Sequence, residues 1–266
     1  MIPRLRTPTS RKMITAEVRE RVMLSPSFAS VTLGGTALRD LVVTGADQTV
    51  RLFFPREGQQ RLRMPTFSNE TWMAELMVLP KSVRPWVRTL TIRRARPADD
   101  EVDIEFALHG NSPMSNWVRR TEPGDSVGIF DMGTTYRPPD DVGGQLIVAD
   151  ESALPAALAI LDDAPESLVA EVFLEVPTVA DIRRYETTEG VHVHWLSRDD
   201  PGRRPGTAAL DAVRQAELPP GRFYTWVAGE SRLATTVRRH LVSERGAAKA
   251  DISFAGYWRH GWSSPG

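Results

Sequence analysis

One short segment in the first half of the chain combines hydroxyl and guanidinium side chains at strand spacing. It covers residues 88–93 and has the sequence RTLTIR. Alternate side chains of a β-strand share a face, so Thr91 and Arg93 lie on the same side. Together they could bind a phosphate or the polar edge of a ring, because the arginine fork makes bidentate hydrogen bonds. An exposed strand face with ordinary charges is the alternative that this segment leaves open.

A second segment places a turn of small residues before a short helix. The sequence LHGNSPMSNW predicts a strand that ends at His109 and Gly110, then a turn, then a helix from about Met114. Free backbone N–H groups at the start of a helix attract phosphate, and Ser112 and Ser115 add hydroxyls. Simple capping of the helix is the alternative explanation.

Two strand-to-helix turns in the second half carry acidic and small residues. They lie in VADESALPAALAIL, which starts at residue 148, and in WVAGESRLATTVRRHL, which starts at residue 226. Ligands of open α/β sheets bind at the carboxyl ends of the strands. Asp150, Glu151, Gly229 and Glu230 occupy such ends, although helix capping alone would also explain them.

Other kinds of site are excluded or unsupported. The chain has no cysteine, which excludes disulfides, thiol catalysis and cysteine-ligated zinc or iron–sulfur clusters. It also lacks the glycine-rich G-x-G-x-x-G and P-loop sequences and the G-x-S-x-G nucleophile elbow. His192 and His194 share one strand face, but no further ligands accompany them, so we predict no metal site.

The first half of the chain must position the first two segments, and it is typical of β-structure. Apolar and polar residues alternate in short runs that Pro and Gly separate, and only MSNWVRR predicts a short helix. An antiparallel barrel is the expected arrangement, because closure removes the edges of the sheet. The runs are ITAEVRERVML, SVTLGG, TVRLFFP, WVRTLTIRRA, EVDIEFALHG and DSVGIF.

The pattern changes after RPPDDVGG at residues 137–144, which is typical of a linker. Apolar strands then alternate with helical segments, one of which, TVADIRRYE, covers residues 178–186. This alternation predicts a parallel sheet with helices on both faces. We therefore predict two domains, a β-barrel over residues 1–140 and an α/β domain over residues 141–266.

Composition limits the class of protein. Hydrophobic residues make up 41% and charged residues 25%, and the formal net charge is −1, so the overall charge gives no case for nucleic-acid binding. No run of 18 apolar residues predicts a membrane span, and no apolar segment after the basic N-terminus predicts a signal peptide. The lack of cysteine fits a reducing compartment. We predict a monomer in the cytoplasm.

Taken in order, these segments resemble the siderophore-interacting protein family, which is related to ferredoxin reductases. The family's R-x-Y-T-x-R strand corresponds to residues 88–93, and its strand ending in LHG, with the turn that follows, to residues 107–117. Its PGD, GDE-T-A-L-P-A, WVAGE and GYWR-x-G motifs match in the same order. They lie at residues 123–125, 149–156, 226–230 and 256–261. The resemblance covers roughly residues 12–261.

The resemblance implies an FAD-binding barrel followed by an NAD(P)H-binding α/β domain. The implied activity is reduction of ferric siderophores by electrons from NAD(P)H, with release of Fe(II). Cofactor-binding positions follow from the matched motifs. They are Arg88, Thr89, Leu90 and Thr91 near the isoalloxazine, Arg93 at the FAD phosphates, His109, Gly110, Ser115 and Trp117 near the ribityl-diphosphate, Asp150 and Ala153 near the adenine, and Glu230 on the nicotinamide side.

An anionic ferric complex would need cations beside the flavin, and Arg51, Arg137 and Arg259 are the predicted positions. Leu90 stands where the family has a tyrosine that flanks the flavin, and Asp131 and Met132 stand in a stretch that the family makes glycine-rich. Two alternatives stay open. One is a related reductase that uses another small acceptor, and the other is a family member that binds a ligand without turnover.

Overall fold

The computed structural model describes residues 6–9 and 11–262. Its contacts divide the chain into two compact units, one over residues 6–134 and one that begins at Thr135. The first unit is a closed barrel and the second a parallel sheet with helices. The predicted architecture, an antiparallel barrel followed by an α/β domain, is therefore confirmed. No helix within these ranges is long and apolar enough to cross a membrane.

The barrel has six antiparallel strands in the order β1-β2-β5-β4-β3-β6. Its strands are β1 (Met13–Ser25), β2 (Phe28–Gly34), β3 (Thr49–Phe54), β4 (Trp86–Arg96), β5 (Glu101–Ala107) and β6 (Ser126–Gly133). Two helices belong to the same unit, α1 (Trp72–Val78) and α2 (Pro113–Arg120), together with short 3₁₀ turns at Thr36–Asp40 and Pro97–Asp99.

Alternating side chains fill the barrel, and α1 covers part of its outside. Leu52 and Phe54 of β3 point into the core, whereas Phe53 between them packs outside against Trp72 of α1, with ring centroids 5.3 Å apart. Phe130 of β6 lies in the same outer cluster. Helix α1 has no clear signal in the sequence, because its apolar residues lie on two faces and give a seven-residue segment no distinct helical period.

The second unit is a five-stranded parallel sheet in the order β11-β10-β7-β8-β9. Its strands are β7 (Gly144–Ala149), β8 (Ala170–Val176), β9 (Val191–Ser197), β10 (Phe223–Glu230) and β11 (Ile252–Trp258). Its helices are α3 (Leu154–Asp162), α4 (Thr207–Gln215) and α5 (Ser231–Glu244). Helices α4 and α5 pack in one apolar cluster on the sheet, and the right-handed crossover rule places α3 on the other face.

The strand order reverses between β7 and β10, so the loops that follow these two strands leave the sheet in opposite directions. Such a switch point opens a crevice where α/β proteins bind ligands. Asp150 follows β7, and Glu230 ends the neighbouring strand β10. The fold therefore brings these two predicted residues to the same edge.

The helix predicted over residues 178–186 is wrong. Only one 3₁₀ turn forms, at Val179–Asp181, and it has a capping box in which the buried Asp181 carboxylate accepts bonds from the backbone N–H and hydroxyl of Thr178. The chain then turns back to α3, where the Tyr185 hydroxyl donates to Asp162 at 2.5 Å. The Asp181 carboxylate is thus used within a single turn, and the apolar Val179 and Ile182 stay exposed.

Candidate functional site

Two arginines stand over one indole ring at the start of β4. The guanidinium carbons of Arg56 and Arg88 lie 3.7 Å and 5.2 Å from the centroid of Trp86. Burial, followed by repulsion from Arg56, lowers the pKa of Arg88, and burial, followed by repulsion from Arg84, lowers the pKa of Arg56. In the part of the chain that the structure describes, neither Arg56 nor Arg88 has a carboxylate partner. This Arg56–Arg88 pair therefore carries positive charge that a bound anion would stabilise.

The turn before α2 has a polar framework and an open side. Ser112 is the N-cap residue, and its hydroxyl accepts the N–H of Ser115 at 3.1 Å. The buried Ser115 hydroxyl in turn accepts the N–H of His109 at 2.9 Å. Gly110 has φ 47°, and a side chain there would meet no atom within 4 Å.

Backbone donors remain at this turn. Among the described residues, the N–H groups of Gly110, Asn111 and Met114 donate no hydrogen bond. Trp86 pairs with Phe54 across β3 and β4, and the Phe54 ring packs 5.1 Å from Trp117 of α2. The turn and the Arg56–Arg88 pair are thus linked through adjacent packed residues. Guanidinium groups and free helix-start N–H groups are the donors that a diphosphate requires.

The outer face of β3 and β4 carries a second polar group. The Arg51 guanidinium donates to the Thr89 hydroxyl, and its buried Nε has no hydrogen-bond partner. Burial lowers the pKa of Arg51, and the carboxylate of Glu70 opposes this shift. Thr91 lies opposite Thr49 on the neighbouring strand and is 5% exposed.

Three further predicted residues make contacts within the barrel unit itself: Leu90, Arg93 and Trp117. Leu90 packs half-buried against the barrel core. The Arg93 side chain is about nine-tenths buried, and its Nε lies 3.4 Å from a carboxylate oxygen of the equally buried Glu105. Trp117 is 1% exposed and packs between Phe54 and Phe106, so it attaches α2 to the barrel.

The carboxyl edge of the parallel sheet centres on Asp150. Its Oδ1 accepts the N–H of Ser152 at 2.9 Å and the Ser152 hydroxyl at 2.6 Å. Its Oδ2 accepts the N–H of Glu230 at 2.6 Å and the indole N–H of Trp258 at 3.2 Å. Burial, and then the Glu151 carboxylate, raises the pKa of Asp150 to about 7.

Glu230 caps α5 and joins two further segments. One oxygen accepts the N–H of Arg232 at 2.7 Å, and the other accepts the Arg204 guanidinium at 3.0 Å and the N–H of His260 at 3.1 Å. Burial opposes its charge, but these three donors together lower the pKa of Glu230. Ala153 is fully buried at the start of α3 and offers only backbone groups.

A buried ion triad beside this edge was not predicted from the sequence. Arg198 bonds both oxygens of Glu151, at 2.6 Å and 2.9 Å, and one oxygen of Glu175 at 2.7 Å. Glu175 also accepts the N–H groups of Gly206 and Ala209, which begin α4. Burial opposes its charge, but Glu151 and then Glu175 raise the pKa of Arg198. A glutamate inside the apolar run FLEV of β8 was the signal in the sequence.

Comparison with known proteins decides the family. Residues 17–135 match the siderophore-interacting FAD-binding domain, and residues 142–261 match the siderophore-interacting protein family. The chain belongs to the siderophore-interacting protein family. Its first unit is accordingly an FAD-binding domain, and the observed donors fit that cofactor: the Arg56–Arg88 pair and the free N–H groups before α2 suit its diphosphate.

Some proteins that are similar to the chain have named activities. The chain is 28% identical to the ferric vibriobactin reductase ViuB of Vibrio cholerae over 90% of its length and 86% of that protein. It is 26% identical to the NADPH-dependent ferric-chelate reductase of Escherichia coli over 88% of each chain. The crystal structure of a siderophore utilization protein from T. fusca superposes with a TM-score of 0.84, at 29% identity and 97% coverage of both chains.

The structure brings some of the predicted site residues together within each unit. Arg51 contacts Thr89, and Asp150 contacts Glu230. Arg137 is exposed, and its backbone N–H donates to the Tyr224 hydroxyl at 3.0 Å. The exposed Arg259 places its guanidinium 4.8 Å from the centroid of Trp262. Arg56, Arg198 and Arg204 are additions to the predicted set.

Within the ranges that the structure describes, no group of three or more histidine or acidic side chains is arranged so that it could hold a metal ion. His192 and His194 instead flank the carboxylate of Glu171 on the next strand, with ring nitrogens 2.8 Å and 2.7 Å from its two oxygens. Burial opposes the charge of Glu171, but the hydrogen bonds to the two rings outweigh burial and lower the pKa of Glu171.

Proposed function

We propose that this protein is an FAD-dependent reductase that transfers electrons from NAD(P)H to ferric siderophores and so releases Fe(II). The family match over both units carries the proposal, and relatives named as ferric vibriobactin reductase and NADPH-dependent ferric-chelate reductase support it. Flavin, when bound, accepts a hydride from a nicotinamide and passes electrons singly to Fe(III). The protein's part is to bind FAD and NAD(P)H, to orient the flavin ring and to attract the ferric acceptor.

Binding of the FAD diphosphate falls to Arg88, Arg56 and the turn before α2. Arg88 lies in the family's strand motif, is desolvated and lacks a carboxylate partner within the described part of the chain. Arg93, the residue predicted for this role, is already close to Glu105. We therefore assign the diphosphate to Arg88 in preference to Arg93, and we give Ser115 and Trp117 the task of shaping and attaching the turn.

Orientation of the flavin ring falls to the outer face of β3 and β4. Thr89 and Thr91 supply hydroxyls there, and Arg51 adds a guanidinium whose Nε has no internal partner. Leu90 lies on the core side of the strand, so it supplies packing and not an aromatic surface. The proposed ring contacts are therefore polar.

Binding of NAD(P)H falls to the switch point between β7 and β10. Ligands of open parallel sheets bind there, and Asp150, Ala153 and Glu230 occupy its two strand-to-helix turns. The carboxylates of Asp150 and Glu230 are bonded within the protein, so they shape this edge and leave backbone groups to face the nucleotide.

Attraction of the acceptor falls to Arg51, Arg137 and Arg259. Many ferric siderophore complexes are anionic, and cations that surround an electron-donating centre raise the local concentration of such complexes. Arg137 and Arg259 are exposed and Arg51 is half-buried, so all three retain charge that can act on a ligand.

The proposal is tested by the purified protein's absorption spectrum and its response to reductant. We expect flavin bands with about one FAD per chain, and bleaching of these bands under argon when NADPH or NADH is added. A protein that neither retains nor takes up FAD would contradict the proposal. A protein that binds FAD but resists both nucleotides would support the alternative of a binding protein without turnover.

A further inference from the structure

One carboxylate at the switch point holds three separate segments of the second unit. Asp150 bonds Ser152 at the start of α3, the N–H of Glu230 at the start of α5, and the indole of Trp258 at the end of β11. Its side chain is completely buried. The residue therefore ties together the loops that surround the crevice without being open to a ligand itself.

The backbone of β10 closes directly over this carboxylate. Gly229 has φ 137°, and a Cβ atom there would lie 2.5 Å from the Asp150 carboxyl carbon and 2.6–2.7 Å from its oxygens. Only glycine fits this close approach. The position of β10 at the edge thus depends directly on the position of Asp150.

All four contacts of Asp150 are with donors. Three are N–H groups that can only donate, and the fourth is the Ser152 hydroxyl, which can also accept. A carboxylate can accept from all four, whereas a neutral acid must donate its own proton. That proton can go only to the Ser152 hydroxyl, which must then turn and give up its own bond to Asp150.

The charged groups around Asp150 are engaged elsewhere. Glu151 on the α3 side is bound by Arg198, and the Glu230 carboxylate on the α5 side is bound by Arg204. On the β11 side, the guanidinium of Arg259 lies over Trp262, and His260 contributes its backbone N–H to Glu230. No basic side chain bonds the Asp150 carboxylate among residues 135–262.

We propose that Asp150 is a positioning residue whose ionised form locks the three segments in the arrangement that binds the nicotinamide nucleotide, and whose protonation loosens them. This inference rests on the proposed function. Since the pKa of Asp150 is raised to about 7 by burial and Glu151, the change falls within the ordinary working range of pH. Protonation breaks no covalent bond, because one proton moves from solvent to Oδ1 and the Ser152 hydroxyl rotates.

Steady-state kinetics of the FAD-loaded protein test whether ionised Asp150 holds the three segments in the nucleotide-binding arrangement. The KM and kcat for NADPH and NADH are measured from pH 5.5 to 8.5 with ferricyanide as acceptor. We expect the KM of the wild type to rise several-fold as pH falls through about 7 while kcat changes less, because binding and not electron transfer is affected. Asp150→Asn should show the high KM at every pH, since an amide cannot accept from both pairs of donors.

Two further variants test whether the effect on KM comes from the hydrogen bonds of Asp150 and not from the loss of any nearby acid. Trp258→Phe removes one of the four donors, so its KM should rise by less than that of Asp150→Asn. Asp163→Asn changes an exposed acid at the end of α3 and should match the wild type. A wild-type KM that is constant across this range, or an Asp150→Asn variant that keeps the wild-type pH dependence, would overturn the inference.

A measurement without nucleotide separates this inference from the proposed function. The folded-state pKa of Asp150 lies above the ordinary value of 3.8, so its contribution to stability is present at low pH and is lost as pH rises towards 7. Denaturant unfolding should show that the free energy of unfolding of the wild type falls as pH rises towards 7, and that Asp150→Asn, which has no carboxyl group at this position, lacks this pH dependence. Failure of both nucleotides to react at any pH would overturn the proposed function and this inference with it. Oxidation of nucleotide with a constant KM would overturn only the inference.

Discussion

The guanidinium carbon of Arg56 lies 3.7 Å from the centroid of the Trp86 ring, and that of Arg88, two residues further along β4, lies 5.2 Å from the same centroid. Two like charges are thus held against one ring, and neither has a carboxylate partner within the described residues. Such an arrangement costs free energy in the absence of an anion and gains it when an anion binds. It is the strongest feature of the barrel that points to a diphosphate ligand.

Removal of Arg88 should weaken FAD binding. Arg88→Ala deletes a charge-assisted bond to phosphate, which is worth about 1.5–3 kcal/mol, so the Kd should rise by roughly ten- to a hundredfold. Fluorescence titration of the apoprotein with FAD measures it. Arg94→Ala, which removes an equal charge from an exposed position on the same strand, should bind as the wild type does. Equal weakening in both variants would show that only net charge matters.

Removal of Arg93 should affect stability more than FAD affinity. Arg93 and Glu105 form a pair with both side chains about nine-tenths buried, and loss of one partner leaves the other charge uncompensated. We expect Arg93→Ala to lower the free energy of unfolding by about 3 kcal/mol or more. Denaturant titration measures the loss. A stable Arg93→Ala protein with severely weakened FAD binding would restore Arg93 to the diphosphate site.

The sequence predicted the architecture better than the individual contacts. Period-two alternation and the strand–helix alternation reflect burial, which is local and repetitive, so the barrel and the parallel sheet could both be predicted. The choice between Arg88 and Arg93 depends on a partner, Glu105, that lies on another strand. Arg56 follows β3 at a turn, and nothing in its local sequence indicates that it lies over Trp86.

For the acidic residues at the switch point, too, the sequence predicted the location but not the bonding partners. Their location at strand ends followed from the strand pattern. Their bonds did not, because Asp150 and Glu230 are held by Trp258, Arg204 and other groups far away in sequence. A motif can therefore mark a region as part of the site while its side chains serve the protein's own structure.

The buried triad of the second unit should be a large source of stability. Arg198→Ala leaves Glu151 and Glu175 buried without their shared cation, and such a loss costs about 3–5 kcal/mol. Denaturant unfolding provides the measurement. The control is Arg184→Ala, which breaks an ion pair that is more than four-fifths exposed and should change stability by less than about 1 kcal/mol. Similar losses in the two variants would contradict the structural role of the triad.

The barrel should weaken in acid through Asp103. This carboxylate accepts the Arg96 guanidinium and, at 2.8 Å, the Thr32 hydroxyl. Burial raises its pKa, but the bonds from Arg96 and Thr32 outweigh that effect and lower the pKa overall. Its stabilisation is therefore present above about pH 4 and is lost as pH falls through the folded-state value. Asp103→Asn should cost about 1–3 kcal/mol at pH 7, and the cost should fall steadily as pH is lowered below about 4, as followed by urea unfolding.

Removal of Arg259 should weaken the reaction with anionic acceptors. Arg259→Ala should raise KM for a negatively charged ferric complex and leave FAD affinity unchanged, because the residue acts on the acceptor by charge. The effect should shrink at high salt, since exposed charges are screened beyond about 8–10 Å near physiological ionic strength. Steady-state rates with ferric complexes of different charge, at two salt concentrations, provide the data. No change with any complex would remove Arg259 from the acceptor site.

The most direct test of the central claim is production of Fe(II) by the FAD-loaded protein. Ferric siderophore, NADPH or NADH and a colorimetric Fe(II) chelator are combined under argon, and Fe(II) is followed against nucleotide consumed. Since a hydride carries two electrons, we expect about two Fe(II) for each nucleotide oxidised, and a much lower rate for Arg88→Ala at limiting FAD. Oxidation of nucleotide without any Fe(II), from hydroxamate, catecholate and carboxylate complexes alike, would contradict it.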